Sequence, residues 1–500
     1  MHHKARILLS MTACFMLLSV AFLSPGSAAQ AADDGPRDVR TLDDPILARN
    51  FQELMDVINS GDRQRVENYT AERYGRQMLR DMDAGQQASF LWGIWENHGG
   101  LELVGFRTDP ARIPPHFAVG IVRSPKKDIW LTVQVGFDPR QDDRVISLMV
   151  VPSRPPMDLV DLERLDDAGI VRELLNYAAT KAGDDEFSGA ILLSQNNKVL
   201  FSKAFGLASR EFEIPNRIDT RFSLGSMNKM FTAVAIGQLA EQQKLAYEDL
   251  IEKYLPAGWI APEIASRVTI AHLLSHTSGL GDYLEGFLES PGYKFITLED
   301  YKDLVFQETL QFEPGSRWAY SNTGFLLLGV IVAQVAGEDY FDYIRDHIYA
   351  VARMSSTDSF DIRRPVPNLA VGYSSDQEGW LNNTMMLSPR GTSAGGGYST
   401  VEDLLRFDQA LRTGKLIQPA TFDLLCTPKP DLNSRSYGYG FMIMGPPTDR
   451  IVGHGGIYPG VSGHLSMYLD SGYTFAVLSN GSGAQMITAK IIELISRREE

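Results

Sequence analysis

The chain has 500 residues, 44% hydrophobic and 22% charged, with a formal net charge of -15 at pH 7. That length exceeds one ordinary core, so two or more domains are expected, and the composition excludes global disorder. The acidic balance argues against nucleic acid as a partner and against attraction to anionic lipid.

Residues 1–31 have the layout of an export signal. His2, His3, Lys4 and Arg6 form a basic start, Ile7–Leu23 is mostly apolar, and Ser27-Ala28-Ala29-Gln30-Ala31 offers small residues for cleavage. An uncleaved anchor is the alternative, and the small residues followed by Asp33-Asp34 favour cleavage. Cys14 sits inside the apolar run, out of place for lipid attachment. Its loss with the signal leaves Cys426 without a disulfide partner. The expected location is the periplasm or the exterior of a bacterium. No later apolar stretch is long enough to span a membrane.

Residues 46–152 read as a small α+β domain. Leu47, Phe51, Leu54, Met55 and Ile58 form one helical stripe, a second helical run reaches about Arg80, and a third covers Gln86–Asn97. Four strands follow at Leu101–Phe106, Phe117–Arg123, Ile129–Phe137 and Val145–Val151. In the third, Ile129, Leu131, Val133 and Val135 alternate with Trp130, Thr132 and Gln134, the pattern of a half-buried antiparallel strand. Helices followed by a strand meander resemble the cone-shaped, nuclear-transport-factor-like domains. That resemblance implies either a ligand pocket, which Trp92, Trp95, Trp130, His98 and His116 could line, or self-association of the chain. The plainer reading makes the tryptophans core and the histidines loop residues. Ser153-Arg154-Pro155-Pro156 ends the domain.

Residues 160–500 form the expected second domain. Ile170–Lys181 is an amphipathic helix, and Gly189–Leu193 and Val199–Phe205 read as a hairpin around a polar turn. Arg450–Gly453, His464–Leu469 and Thr474–Leu478 are later strands, and Ala484–Ser496 is a closing helix. The simplest layout is one sheet built from both ends of the domain, with a mostly helical insertion between.

Within Phe222–Met230, Ser226 and Lys229 lie three residues apart where a glycine-containing approach meets an apolar helix, Met230–Leu239. Residues at i and i+3 share a helix face, so an amine would stand beside the hydroxyl and could take its proton. Tyr320-Ser321-Asn322 places a phenol and a carboxamide two residues apart; Tyr320 could relay protons and Asn322 could bind an amide or hold Lys229. The alternative is a helix-capping cluster. His454-Gly455-Gly456 leaves room for a close backbone approach, or is a glycine bulge with an incidental histidine. Gly391–Gly397 reads as a mobile cleft wall or a linker, followed by a Ser399/Glu402 capping box. His272 and His276 have i, i+4 spacing but no third ligand, so no metal is expected.

The order Ser226-x-x-Lys229, Tyr320-Ser321-Asn322, His454-Gly455-Gly456 resembles the penicillin-recognising serine hydrolases. The similarity is greatest to the class C β-lactamase-like branch with its D-alanyl-D-alanine carboxypeptidases, D-aminopeptidases and esterases. Phe187-Ser188-Gly189-Ala190, Leu274–Leu280 and Ala394–Ser399 strengthen the likeness, which spans about residues 165–485. The resemblance implies a β-lactamase/transpeptidase-like fold, an antiparallel sheet flanked by helices. It also implies acyl transfer through Ser226, with Lys229 and Tyr320 sharing the proton work. By position, the N–H groups of Ser226 and Ile457 would form the oxyanion hole, with Asn322, His454, Gly455 and Gly456 lining the substrate side. No cofactor is implied. Many relatives carry Lys-Thr-Gly where this chain has His454-Gly455-Gly456, which points to a small ester or peptide substrate and weak β-lactamase activity. An acyltransferase and a non-catalytic binder of cell-wall fragments are the competing readings.

Overall fold

The computed structural model describes residues 37–499 apart from residues 111, 112, 291, 360, 377, 378 and 447, so the expected export signal lies outside the described residues. Two units separate: the chain up to Asn176 together with Met486 onward, and Tyr177–Gln485.

In the first unit, helices α1 (Pro45–Ile58), α2 (Arg63–Arg73), α3 (Arg76–Asp81) and α4 (Ala84–His98) precede a strand meander. Asp44 starts α1 by accepting the N–H groups of Ile46 and Leu47, donors that have no partner inside the helix. Strands β1 (Arg37–Val39), β2 (Glu102–Thr108), β3 (Phe117–Ser124), β4 (Ile129–Asp138) and β5 (Arg144–Pro152) form an antiparallel sheet in that order. The Phe51 ring of α1 lies on Gly120 of β3, where a Cβ would come within 2.1 Å of Phe51 Cζ. The half-buried reading of β4 is corrected here. Trp130 and Thr132 are only 5% and 3% exposed, so both sides of the strand are packed. Trp92 and Trp95 stack on each other at 4.8 Å, and His98 Nδ1 lies 2.9 Å from Ser124 Oγ. The end of the chain returns to this unit, where Leu165 exchanges backbone hydrogen bonds with Arg497 and Glu499.

Helix α5 (Asp167–Gly183) leads into the second unit. Strands β6 (Gly189–Gln195) and β7 (Lys198–Phe205) turn on Asn196-Asn197, both at positive φ, as a two-residue hairpin requires. Two short strands follow, β8 (Phe222–Ser223) and β9 (Tyr398–Ser399), which pair with each other. Then come β10 (Met442–Met444), β11 (Ile451–Tyr458), β12 (Val461–Tyr468) and β13 (Tyr473–Ser479). The main sheet runs β10-β11-β12-β13-β6-β7, with β13 and β6 antiparallel and Ser479 opposite Gly189. Sequence ends thus meet in the middle of one sheet, and everything between β7 and β10 is the insertion.

Three helices of that insertion position the site: α6 (Asn228–Glu241), α7 (Asn322–Ala336) and α8 (Val401–Arg412). Helix α6 is buried on nearly every side, and Phe325–Val332 of α7 is buried throughout. Burying each such leucine, valine or phenylalanine contributes about 1.5–3 kcal/mol, which makes these helices fixed platforms. The cap of α8 differs from expectation. Thr400, not Ser399, accepts the Asp403 N–H, because Ser399 belongs to β9 and its hydroxyl is engaged by Thr357. The closing helix α9 spans Ala484–Ser496.

Candidate active site

Ser226 lies on a single 3-10 turn, Gly225–Met227, that runs directly into α6. Gly225 has φ +53, the left-handed bend needed to turn from β8 into the helix without a Cβ penalty. A Cβ on it would also lie 3.1 Å from Ile457 N. From the other side, a Cβ on Gly456 would lie 1.9 Å from Leu224 O and 3.1 Å from Ser226 N. The edge of β11 and the serine turn are therefore in backbone contact, with the N–H groups of Ser226 and Ile457 on the contacting segments. His454-Gly455-Gly456 is thereby a close-approach strand and not an incidental bulge.

One helical turn on, Lys229 is completely buried. Its Nζ lies 3.4 Å from Ser226 Oγ, 2.6 Å from Asn322 Oδ1 and 2.5 Å from the Ala394 carbonyl oxygen. Both oxygens accept, so two of the three directions at the amine carry N–H groups and the third faces Ser226. Burial pushes the Lys229 pKa well below the ordinary lysine value, with Asp282 partly opposing it. The Asn322 amide completes a bridge: its Nδ2 donates to Asp282 Oδ2 at 2.6 Å. Ser321 caps α7, its hydroxyl accepting the Gly324 N–H. The Tyr-Ser-Asn stretch is thus both a helix start and a holder of the lysine.

The Lys229 amine sits over the Tyr320 ring, 4.7 Å from its centroid. The Tyr320 hydroxyl is buried beside Ser226 without a well-formed hydrogen bond, and burial raises its pKa, so it stays a neutral phenol. Behind it stands His276, 4.2 Å from the Tyr320 ring, whose Nδ1 accepts the Ser321 N–H at 3.1 Å. His272 instead accepts the Thr269 N–H on the start of its own helix. The two histidines serve different neighbours, and no cluster suited to a metal ion is present among the described residues.

His454 is fully buried, and burial lowers its pKa to about 3, leaving it neutral. Its Nδ1 lies 2.6 Å from the Gly455 carbonyl, which only accepts, so Nδ1 carries the proton. Nε2 then accepts from the Tyr437 hydroxyl at 2.9 Å. This imidazole braces β11 and presents no cation.

The Gly391–Gly397 segment departs furthest from expectation. It is neither mobile wall nor linker but a hydrogen-bonded part of the site. Gly396 N–H donates to Gly225 O at 3.0 Å, Leu224 N–H donates to Gly397 O at 3.1 Å, and Thr232 Oγ1 donates to Ser393 O at 2.7 Å. Asn228 Nδ2 reaches the Thr392 carbonyl as well. Sequence reasoning therefore missed the Ala394 carbonyl, Asp282 and Tyr437, and it weighed His276 only as a metal ligand or a structural residue, not as the group behind Tyr320. Asp282 had a faint signal, standing just beyond the Leu274–Leu280 phrase that carries the resemblance.

Comparison with known proteins identifies the family of the second unit. The family model described as Beta-lactamase matches residues 176–495, which leaves most of the first unit outside it. A penicillin-binding protein of Bacillus subtilis (strain 168) is 33% identical over 316 residues, 59% of this chain and 68% of that one. The teichoic acid D-alanine hydrolase of Staphylococcus aureus is 25% identical over 313 residues, 61% of this chain and 73% of that one. Among solved structures, a penicillin-binding protein from Bacillus halodurans superposes with a TM-score of 0.58 at 32% identity, covering 62% of this chain and 98% of that one. The D-amino acid amidase from Ochrobactrum anthropi SV3 shares the fold, with a TM-score of 0.56 at 22% identity over 66% of this chain and 98% of that one. With the family model spanning well over half of the chain, and with serine, lysine, tyrosine and glycine strand gathered at one place, the chain belongs to the β-lactamase family of serine hydrolases.

Proposed function

We propose that the protein is an exported hydrolase that cleaves small esters or amides through an acyl-enzyme on Ser226. One observation carries the reading. The amine of Lys229 is buried, its two N–H directions are occupied by Asn322 Oδ1 and Ala394 O, and the remaining direction faces Ser226 Oγ. In the neutral amine that direction is the lone pair. Lys229 takes the Ser226 proton as Oγ bonds to the substrate carbonyl carbon, and the carbonyl electron pair moves to oxygen. The Ser226 and Ile457 N–H groups stabilise that oxyanion, at about 3–4 kcal/mol per donor. On collapse the leaving oxygen or nitrogen departs with a proton passed from the Lys229 ammonium by way of the Tyr320 phenol, which takes one as it gives one. Water repeats the sequence on the acyl-enzyme.

The substrate side supports an uncharged or small acyl group. Neutral His454 supplies no ammonium for a substrate carboxylate, so penicillins and D-Ala-D-Ala ends lose an anchor. Similarity to teichoic acid D-alanine hydrolase supports D-alanyl esters as a substrate class. Export rests on the basic and apolar start of the sequence.

The test is to label wild type and Ser226→Ala with a fluorophosphonate and to follow p-nitrophenyl acetate, D-alanine p-nitroanilide and nitrocefin. Labelling and ester turnover are expected in wild type alone, with slow nitrocefin cleavage. Unchanged ester turnover in Ser226→Ala would overturn the nucleophile, and efficient nitrocefin turnover would overturn the substrate preference.

A further inference from the structure

Lys229 can act as a base only if Asn322 turns its oxygen, not its nitrogen, toward the amine. A reversed amide would donate an N–H to the lysine lone pair and quench it. Orientation of an asparagine is decided by what it faces on its other end. Here that is a carboxylate, which only accepts: Asn322 Nδ2 donates to Asp282 Oδ2 at 2.6 Å. The second carboxylate oxygen is also used, accepting the Leu284 N–H at 3.0 Å.

The loop that carries Asp282 is clamped on both sides to the start of α7. Gly281 O accepts from Ser321 Oγ at 2.8 Å, and Tyr283 N–H donates to Thr323 Oγ1 at 2.9 Å. Gly281 N–H donates to Glu308 Oε2 at 2.9 Å, and Thr323 Oγ1 donates to Glu308 Oε1 at 2.8 Å. Asp282 and Asn322 are thus registered to each other by the residues flanking each of them, an arrangement a merely surface carboxylate would not need.

We propose that Asp282 is a positioning residue, locking the Asn322 amide with its oxygen toward Lys229 so that the lysine lone pair is left facing Ser226. The inference rests on the reading of Ser226 as nucleophile and Lys229 as its base. Around Lys229 the other titratable groups are Tyr320, His276 and His454, and Glu308 faces Asp282. Burial raises the Asp282 pKa, so acid protonates it within the folded protein. A carboxylic acid can donate, and the lock then opens.

Replacement of Asp282 by its isosteric amide is discriminating because both carboxylate oxygens accept. In Asp282→Asn only one oxygen remains, and when it satisfies the Leu284 N–H the new amide nitrogen faces Asn322 and reverses it. Activity on p-nitrophenyl acetate is expected to fall by about 10²-fold in kcat/KM. The double variant Asp282→Asn/Asn322→Asp restores a fixed direction from the other end. Asn at 282 donates to the new carboxylate, and that carboxylate accepts from Lys229. It should recover about tenfold or more over the single variant, with the rising limb of the pH–kcat/KM profile moved to higher pH by the adjacent negative charge.

Wild-type kcat/KM in Asp282→Asn, or equal impairment of single and double variants, would overturn the lock. Neutron diffraction on the deuterated wild-type protein decides the matter even where a variant fails to fold. The ND₂ group of Asn322 is expected on the Asp282 side with one deuteron directed at Asp282 Oδ2, and an ND₂ group on the Lys229 side would overturn it. Turnover surviving in Ser226→Ala would overturn the underlying nucleophile assignment instead. An inactive Ser226→Ala beside a fully active Asp282→Asn would overturn the lock alone.

Discussion

Gly456 and Gly455 are neighbours on β11, yet a methyl group at each should have very different consequences. At Gly456 the added Cβ would stand 1.9 Å from Leu224 O and 3.1 Å from Ser226 N. The first distance falls about 1.5 Å short of ordinary van der Waals contact, and both obstructing atoms are backbone, so no side chain can swing aside. Strand β11 must retreat from the serine turn by a comparable amount, carrying the Ile457 N–H out of reach of an oxyanion. Loss of one such donor costs about 2.7–4 kcal/mol, or 10²–10³ in kcat. At Gly455 the new Cβ would meet His464 Nδ1 at 3.2 Å, a side-chain atom that needs to yield only slightly. Steady-state hydrolysis of p-nitrophenyl acetate should therefore show kcat reduced by about 10²–10³ in Gly456→Ala and by less than about tenfold in Gly455→Ala. Circular dichroism and thermal melts should find both folded. A Gly456→Ala enzyme with wild-type kcat, or equal losses in the two variants, would refute the claim that this backbone contact builds the oxyanion site.

Removing the buried hydroxyl, which makes no well-formed hydrogen bond to its neighbour Ser226, in Tyr320→Phe should raise the melting temperature, since a poorly satisfied buried group costs about 1–3 kcal/mol. The same change should lower kcat by about 10²–10⁴, the range of a lost proton-transfer group; a variant at once less stable and fully active would contradict both parts. Folding holds His454 neutral with its pKa lowered to about 3, while the unfolded chain protonates it near 6.5. Its contribution to stability is therefore complete above pH about 6.5 and is lost progressively as pH falls toward the folded value. Urea unfolding between pH 7 and 4 should show a shallower loss in His454→Gln than in wild type. In the first unit, Gly120→Ala drives a Cβ to 2.1 Å from Phe51 Cζ, and overpacking of that kind should destabilise by about 1–3 kcal/mol in chemical denaturation.

Much of this molecule was open to reading without coordinates, and the reasons are local. Strands β2 to β7 announce themselves through short β-branched and aromatic runs between turn residues. Helix α6, apolar all round, could only be a buried helix. Ser226 and Lys229 were legible because helical geometry alone puts i and i+3 on one face, whatever the rest of the chain does. The buried outer side of β4 was not, because alternation reports side-chain polarity and not what comes to cover it.

What the sequence determined by itself is therefore the pairing of Ser226 with its neighbouring lysine and the order of the three motifs. Tertiary structure alone decided the state of that lysine. The Ala394 carbonyl that receives its proton donor lies 165 residues away and is a backbone group every residue owns, so it leaves no mark in the sequence. Asp282, 40 residues before Asn322, acquires meaning only when the two loops are clamped together. His454 is neutral because burial strips its imidazole of water, and its Nε2 finds a donor only in Tyr437, 17 residues earlier. Burial and the direction of each hydrogen bond settle protonation, and both are properties of packing between distant segments.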